Sequence, residues 1–261
     1  MPFELKPVKS NFDMKDEVLQ FASTNNYQIT ILSDAIMFQN LESEFKILLR
    51  NNTSDFHVFG EVFIKNDYAP LIQIYKKYYP NTNPKNIIDV GANIGCATIA
   101  LKNAFPTANI LSIEAEKNNF QALEKNITLN QYQNVEAINK AFWIDNSNLM
   151  IDEDFRDGRE WAFAIRPNTE KTSQTIEGIT LKNILEKPNF DEIDILKIDI
   201  EGGEKWILED QNTMQLIRQK VKILMIEIHP EVIDVETVIS IMQENNFNFI
   251  INDALIFAFQ N

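Results

Sequence analysis

Two different rhythms of apolar residues divide the chain near residue 86. Before that point, the stretches YQITILSDAIMFQN and EFKILLR alternate apolar and polar residues over short runs. Alternation with a period of two is typical of half-buried strands and predicts a small strand meander. The next apolar stretch, APLIQIYKKYYP, has helical spacing, and we expect Pro80 to stop that helix.

From Ile87 onward, strand-like runs alternate with helical ones. The strand-like runs are NIIDV, NILSIEA, VEAINKAF, IDILKIDI and VKILMIEI, and the helical patterns IGCATIALKNAF and NNFQALEKNITLN follow the first two. Such alternation predicts a parallel sheet covered on both faces. The closing stretch FNFIINDALIFAFQ predicts an antiparallel hairpin at the sheet edge. We therefore expect an α/β, Rossmann-like, doubly wound domain over residues 81–261, preceded by a small α+β extension over residues 1–80.

Composition narrows the range of partners. The chain has 261 residues, and 24 Lys and Arg against 38 Asp and Glu give a net charge of −14. A surface of that sign repels phosphate backbones and anionic lipids, so we expect neither a nucleic acid nor a membrane as partner. The single cysteine, Cys96, excludes an internal disulfide, and the N-terminus lacks the apolar core of a signal peptide. The default expectation is a cytoplasmic protein.

A glycine loop joins the first strand of the α/β region to its helix. Gly91 and Gly95 stand between IIDV and the helix that begins near Cys96, in a chain with seven glycines. Glycine there lets a ligand approach the backbone, and the helix N-terminus favours negative charge. The dinucleotide fingerprint G-x-G-x-x-G would need glycines where Asn93 and Cys96 stand, which argues against a pyrophosphate. Asp89, just before the loop, suits a ligand with a positive charge, such as an ammonium group.

The second strand ends in an acid that fits the same ligand. Doubly wound nucleotide sites place a carboxylate at this position to accept both ribose hydroxyls, and Glu114 stands there. An amino acid head, a ribose and no pyrophosphate together describe S-adenosylmethionine. The predicted cofactor-binding residues are Asp89, Gly91, Asn93, Gly95 and Glu114.

Two later strands carry charges that a buried strand normally excludes. DILKIDIEGGEKWILE contains Lys197, Asp199 and Glu201, and KILMIEIHPE ends with Glu227 and His229. Strand ends in a parallel sheet face a shared crevice, so we predict Asp199, Glu201 and His229 as catalytic residues. In the alternative interpretation, Lys197 neutralises Asp199 and Glu201 caps the next helix.

These motifs together resemble the FkbM family of S-adenosylmethionine-dependent methyltransferases. The matching pieces are IIDVGANIG, SIEAEKNNFQALEKNITLN, DILKIDIEGGEKWIL and IEIH, in the family's order. The resemblance implies a class I methyltransferase fold and O-methylation of a sugar, glycan or natural-product hydroxyl. Many members have proline after the ribose-binding glutamate, whereas here Ala115 and Glu116 follow. A nicotinamide-dependent oxidoreductase and a non-catalytic nucleotide-binding module are the alternative functions.

The chemistry of methyl transfer to an alcohol requires a base for its proton. Asp199, Glu201 and His229 are the candidate bases, and His229 is a reasonable one because the ordinary histidine pKa of ~6.5 lies nearest neutrality. Asp199 and Glu201 offer a second mechanism, in which a divalent metal such as Mg²⁺ gathers the acceptor hydroxyls. A polar and aromatic loop around Arg159 and Trp161 is a candidate for stacking on a sugar or the adenine. We also expect the N-terminal extension to cover the acceptor, with Arg50, Asp55 and Tyr68 near the site.

Overall fold

The structure is a computed structural model that describes residues 11–152, 164–167 and 175–260. In its N-terminal part, a helix precedes a three-stranded antiparallel sheet, and three helical segments follow. These elements are α1 (Asn11–Thr24), β1 (Tyr27–Ile31), β2 (Ala35–Asn40), β3 (Lys46–Arg50), α2 (Asp55–Phe59), a π-helix (Gly60–Lys65) and α3 (Ala69–Tyr78). The predicted strand meander is confirmed, and α3 ends two residues before Pro80, as expected.

The remaining strands belong to two further sheets. They are β4 (Asn86–Val90), β5 (Asn109–Glu114), β6 (Val135–Asn139), β7 (Ala141–Phe142), β8 (Asn148–Asp152), β9 (Ala164–Pro167), β10 (Thr175–Ile179), β11 (Ile193–Ile198), β12 (Val221–Glu227), β13 (Asn248–Asn252) and β14 (Leu255–Phe259). Seven of them form the main sheet in the order β13-β14-β12-β11-β4-β5-β6, in which β14 runs opposite to both its neighbours. The predicted hairpin is confirmed, with β13 at the sheet edge and β14 inside it.

Apolar residues cover both faces of the main sheet. Consecutive residues such as Ile87 and Ile88, or Ile195 and Leu196, are fully buried and belong to two different hydrophobic clusters. This is the pattern of a strand buried on both faces, and it confirms the doubly wound α/β domain. The helices of this region are α4 (Cys96–Ala104), α5 (Lys117–Leu129), α6 (Leu181–Leu185), α7 (Glu204–Glu209), α8 (Gln211–Lys220) and α9 (Val235–Glu244).

A four-stranded sheet, in the order β7-β10-β8-β9, departs from the sequence-based expectation. The stretch VEAINKAF was predicted as one strand, but Lys140 separates β6 in the main sheet from β7, which pairs with β10. Apolar spacing continues across Lys140, so periodicity alone does not reveal the change of sheet. The predicted stacking loop around Arg159 and Trp161 lies outside the described residues.

The chain order creates a switch point in the main sheet. From β4 the chain proceeds outward through β5 and β6, and it later returns to β11 on the other side of β4. In open α/β sheets, ligands bind where the connections diverge in this way, at the carboxyl ends of the strands. Within the described residues, no helix has the length and apolarity that crossing a bilayer requires.

Candidate active site

A cavity of about 600 Å³ opens at the switch point. This volume is within the range of small-molecule pockets. Five of the predicted site residues line it: Gly91, Asn93, Glu114, Asp199 and Glu201. Three others, Asp89, Gly95 and His229, are not on its wall. The carboxyl ends of β4, β5 and β11 thus all border this cavity, as the strand order predicts.

Gly91 is needed for contact between two strands as well as for approach of a ligand. Its φ is +69°, and a Cβ at this position would stand 1.6 Å from the carbonyl oxygen of Asp199. No side chain fits at that distance. The glycine loop therefore packs directly against the backbone of the predicted catalytic residue, which fixes the two halves of the site relative to each other.

Glu114 organises the loop that it faces. Its Oε2 accepts a hydrogen bond from the Asn93 backbone N–H at 2.7 Å, and its Oε1 accepts one from the Glu116 N–H at 2.8 Å. Burial raises the pKa of Glu114 to about 7, against the effect of these two hydrogen bonds. Glu116 also caps α5 through the Asn119 N–H, so the turn after Glu114 is held without the proline that many family members have.

Asp89 has internal partners, against the expectation of a direct ligand contact. The carboxylate is fully buried, its Oδ2 accepts a hydrogen bond from Thr98 Oγ1 at 2.6 Å, and its Oδ1 lies 3.2 Å from Lys197 Nζ. A charge in this position is stabilised by the ion pair and the hydrogen bond. Asp89 thus supports the site from behind the cavity wall.

Lys197 connects the cofactor half of the cavity to the acceptor half. Its ammonium donates a hydrogen bond to the Gly91 carbonyl oxygen at 2.8 Å and lies 3.4 Å from Asp199 Oδ2. Burial lowers the pKa of Lys197, but the neighbouring acidic groups outweigh burial and raise it well above the ordinary value. The predicted neutralisation of Asp199 by Lys197 is confirmed as a contact. The contacts of Lys197 with Gly91 and Asp89 were not predicted, because they join β11 to β4, which are far apart in the sequence.

His229 is enclosed by two carboxylates. Its Nε2 lies 3.2 Å from Glu201 Oε2 and its Nδ1 lies 3.2 Å from Glu204 Oε1, with 3% of the side chain exposed. Burial lowers the pKa of His229, but Glu204 and Glu201 outweigh this effect and raise the pKa to about 10. The imidazole is therefore protonated near neutral pH and cannot accept a proton. This arrangement argues against His229 as the base.

Glu204 holds the loop after β11, a role that the sequence interpretation missed. It is fully buried, and its two oxygens accept hydrogen bonds from the Ile200 N–H at 2.8 Å and the Gly202 N–H at 2.7 Å. Glu201, between those residues, has a φ of +54°. A strained backbone at this point persists because Glu204 and His229 fix the loop on both sides. The sequence signal for this role was the motif EGGE, in which Glu204 follows the strand end by a few residues.

The N-terminal part supplies a third portion of the wall. Glu61, Val62 and Lys65 of the π-helix line the cavity, and so does Tyr68. Arg50 forms an ion pair with Asp55 at 2.7 Å and donates a hydrogen bond to Asn119, which is on the wall. Of the three N-terminal residues expected near the site, one therefore lines the cavity and two support it.

The sequence profile of the methyltransferase FkbM domain matches residues 89–249. The chain belongs to this family. The match spans the glycine loop, Glu114, the β11 end and His229. This FkbM-family protein is a methyltransferase whose cofactor is S-adenosylmethionine, which sets aside the nicotinamide-dependent oxidoreductase and the non-catalytic module.

Individual relatives are distant. Methyltransferase 1 of Beauveria bassiana is 25% identical over 60% of this chain and 72% of its own length. Methyltransferase sdnD of Sordaria araneosa is 27% identical over 52% of this chain and 64% of its own length. Among solved structures, precorrin-6y C5,15-methyltransferase from Geobacter metallireducens GS-15 aligns with 11% identity and a TM-score of 0.45, over 73% of this chain and 89% of that one.

Proposed function

We propose that this FkbM methyltransferase transfers the methyl group of S-adenosylmethionine to a hydroxyl oxygen of a small sugar, glycan or natural-product acceptor. The observation that carries the proposal is one small cavity shared by the glycine loop, Glu114 and the acidic β11 end. A space of about 600 Å³ suits a nucleoside cofactor with a compact acceptor. The carboxylates on its wall favour hydroxyls and disfavour phosphate-bearing acceptors.

The cofactor occupies the half of the cavity formed by the ends of β4 and β5. Gly91 and Asn93 border it with backbone, and Glu114 accepts the ribose hydroxyls through oxygen lone pairs that its two backbone donors leave open. S-adenosylmethionine supplies the electrophilic methyl carbon, bonded to a sulfonium. The sulfonium charge is then directed to the β11 end, where Asp199 stands.

The acceptor occupies the remaining half, under the described part of the N-terminal extension, residues 11–80. Glu61, Lys65 and Tyr68 face this space from the extension, and Glu227 faces it from the end of β12. Enclosure excludes water, which would otherwise compete for the methyl group, and holds the acceptor oxygen in line with the breaking bond. The cover and the sheet are parts of one site.

The proposed acceptor class is tested with a panel of unphosphorylated sugars, glycans and hydroxylated natural products, each incubated with S-adenosylmethionine. We expect mass spectrometry to detect addition of one methyl group, and NMR to place it on oxygen. RNA and protein substrates serve as comparison arms. Methylation confined to either of those would overturn the proposal.

The acids of the cavity fit Mg²⁺ poorly. Donor atoms of Asp199, Glu201 and His229 lie within 4.8 Å of one another. However, Asp199 already has a cationic partner in Lys197, and Glu201 has one in the protonated His229. An imidazole nitrogen is also a ligand for transition metals more than for Mg²⁺, which prefers oxygen. We derive no catalytic step through a metal.

Chelation is therefore expected to leave turnover unchanged. The rate of methyl transfer should be the same, within error, before and after dialysis against EDTA. Addition of Mg²⁺ or Mn²⁺ to the dialysed enzyme should not raise it. A loss of activity on dialysis that either ion reverses would contradict the charge assignment at Glu201 and His229.

Cofactor affinity is expected to depend on the ionisation of Glu114. Because the pKa of Glu114 is raised to about 7, the carboxylate that accepts ribose hydroxyls is depleted below that pH. Affinity for S-adenosylhomocysteine should rise as the pH increases through 7 and then level off. Glu114→Gln should weaken binding by about 1–3 kcal/mol and remove this pH dependence. Calorimetry between pH 6 and 8 checks both results.

The exposed Glu124 on α5 provides the control. Glu124→Gln should retain both the affinity and its pH dependence. If Glu114→Gln binds as tightly as the unchanged protein at every pH, Glu114 is not at the ribose.

A further inference from the structure

Glu227 is a cavity carboxylate that has no partner among the described residues. It is the last residue of β12, and its side chain lines the cavity beside the β11 end. Asp199 is paired with Lys197, and Glu201 with His229. By contrast, the described residues offer the Glu227 side chain no hydrogen bond and no ion pair. Among these acids at the ends of β11 and β12, Glu227 is thus the one whose oxygens are free to act on an acceptor.

The surroundings of Glu227 favour its acting as a proton acceptor. Burial raises the pKa of Glu227 well above its ordinary value, and the negative charge of Asp199 raises it further. A paired carboxylate is a weak base near neutral pH, whereas a raised pKa brings a carboxylate closer to the working range of a general base. His229 is nearby but protonated, and it acts on Glu227 only as a positive charge.

Tyr68 provides a donor on the same wall. Tyr68 lines the cavity and is 7% exposed, and the described residues give its hydroxyl no hydrogen-bond partner. Burial raises the pKa of Tyr68 well above 10, so the phenol remains a neutral donor. Glu227 is among the groups whose charge acts on this phenol. A donor without an acceptor and an acceptor without a donor therefore face one space, which fits a ligand hydroxyl.

We propose that Glu227 is the catalytic base of this methyltransferase and that Tyr68 positions the acceptor hydroxyl by donating a hydrogen bond to its oxygen. The proposal rests on the proposed function, transfer to a hydroxyl. The acceptor oxygen forms a bond to the methyl carbon as the carbon–sulfur bond breaks and its electron pair stays on sulfur. The hydroxyl proton moves to the Glu227 carboxylate. The products are a methyl ether, S-adenosylhomocysteine and a protonated Glu227, which releases its proton to water.

The test compares Glu227→Gln with the unchanged enzyme on an acceptor found in the panel. Glutamine retains the shape of the side chain but cannot take the proton, so kcat should fall by roughly 10²–10⁴-fold. S-adenosylhomocysteine affinity should stay within about twofold and the urea midpoint should not fall, because Glu227 makes no contact that folding needs. Glu209→Gln, at an exposed position on α7, should leave kcat unchanged.

A pH profile distinguishes a base from a positioning residue. In the unchanged enzyme kcat should rise with pH as Glu227 loses its proton, and in Glu227→Gln this rise should disappear. Tyr68→Phe should raise KM and keep the rise. The charges of Glu61, Asp199, Glu201 and His229 act on Glu227, and the charge of Glu227 acts on Tyr68. The other charged groups on the cavity wall near them are Lys65, Asp67, Lys197 and Asp253.

Two outcomes overturn two different statements. If the panel product carries its methyl group on nitrogen or carbon, the proposed function fails, whatever Glu227→Gln does. If the product is an O-methyl ether and Glu227→Gln retains kcat with the same pH profile, the function stands and the assignment of Glu227 fails. Loss of S-adenosylhomocysteine binding in Glu227→Gln also overturns the assignment, because it places Glu227 at the cofactor.

Discussion

The Gly91→Ala variant is expected to be strongly destabilised, by about 3–5 kcal/mol, and to lose S-adenosylhomocysteine binding. Two costs add at this position. The backbone has a φ of +69°, which L side chains avoid, and the new Cβ would stand 1.6 Å from the Asp199 carbonyl oxygen. Backbone cannot move aside as the end of a side chain can, so β4 and β11 would have to separate. Urea unfolding and calorimetry measure the two losses.

Gly60 offers a matched control. Its φ is −60°, and the atom that a Cβ would meet is the terminal Cε of Met14, at 2.7 Å. A flexible methionine end can rotate away, so Gly60→Ala should change the free energy of unfolding by less than about 1 kcal/mol. Equal stability of Gly91→Ala and the unchanged protein would contradict the close contact between the glycine loop and Asp199.

Lys197→Met should cost about 3–5 kcal/mol of stability, because it leaves the fully buried Asp89 without its counter-ion. The double variant Lys197→Met with Asp89→Asn should recover most of that loss, because the unpaired charge is then absent. Denaturant unfolding of the two single variants and the double variant gives the coupling energy between the two positions.

The pair between Lys222 and Asp194 is the control for this cycle. Lys222 is 39% exposed, and Asp194 also accepts hydrogen bonds from the Lys85 and Asn86 N–H groups. Lys222→Met should therefore cost only about 1 kcal/mol or less. If Lys197→Met costs no more than Lys222→Met, Asp89 does not depend on Lys197 for its charge balance.

The position of the cavity could be predicted from the local pattern of apolar residues. Apolar runs with helices between them predicted the main sheet, and the residues that close its strands were therefore expected at one edge. Gly91, Asn93, Glu114, Asp199 and Glu201 are all on the cavity wall, as this logic requires. The small sheet of β7 to β10 was not predicted, because its short strands give weak periodicity.

The sequence by itself determined the fold class, the family and the strand ends at which the site is built, since these depend on spacing along the chain. Only the tertiary structure decided which charges meet. Lys197 and Gly91, which are 106 residues apart, are joined by the register of β11 on β4. In the same way, the carboxylates of Glu201 and Glu204 hold His229 as a cation, and among the described residues Glu227 has no partner. Ionisation depends on burial and on neighbouring charges in three dimensions, and strand pairing brings those neighbours from distant parts of the chain.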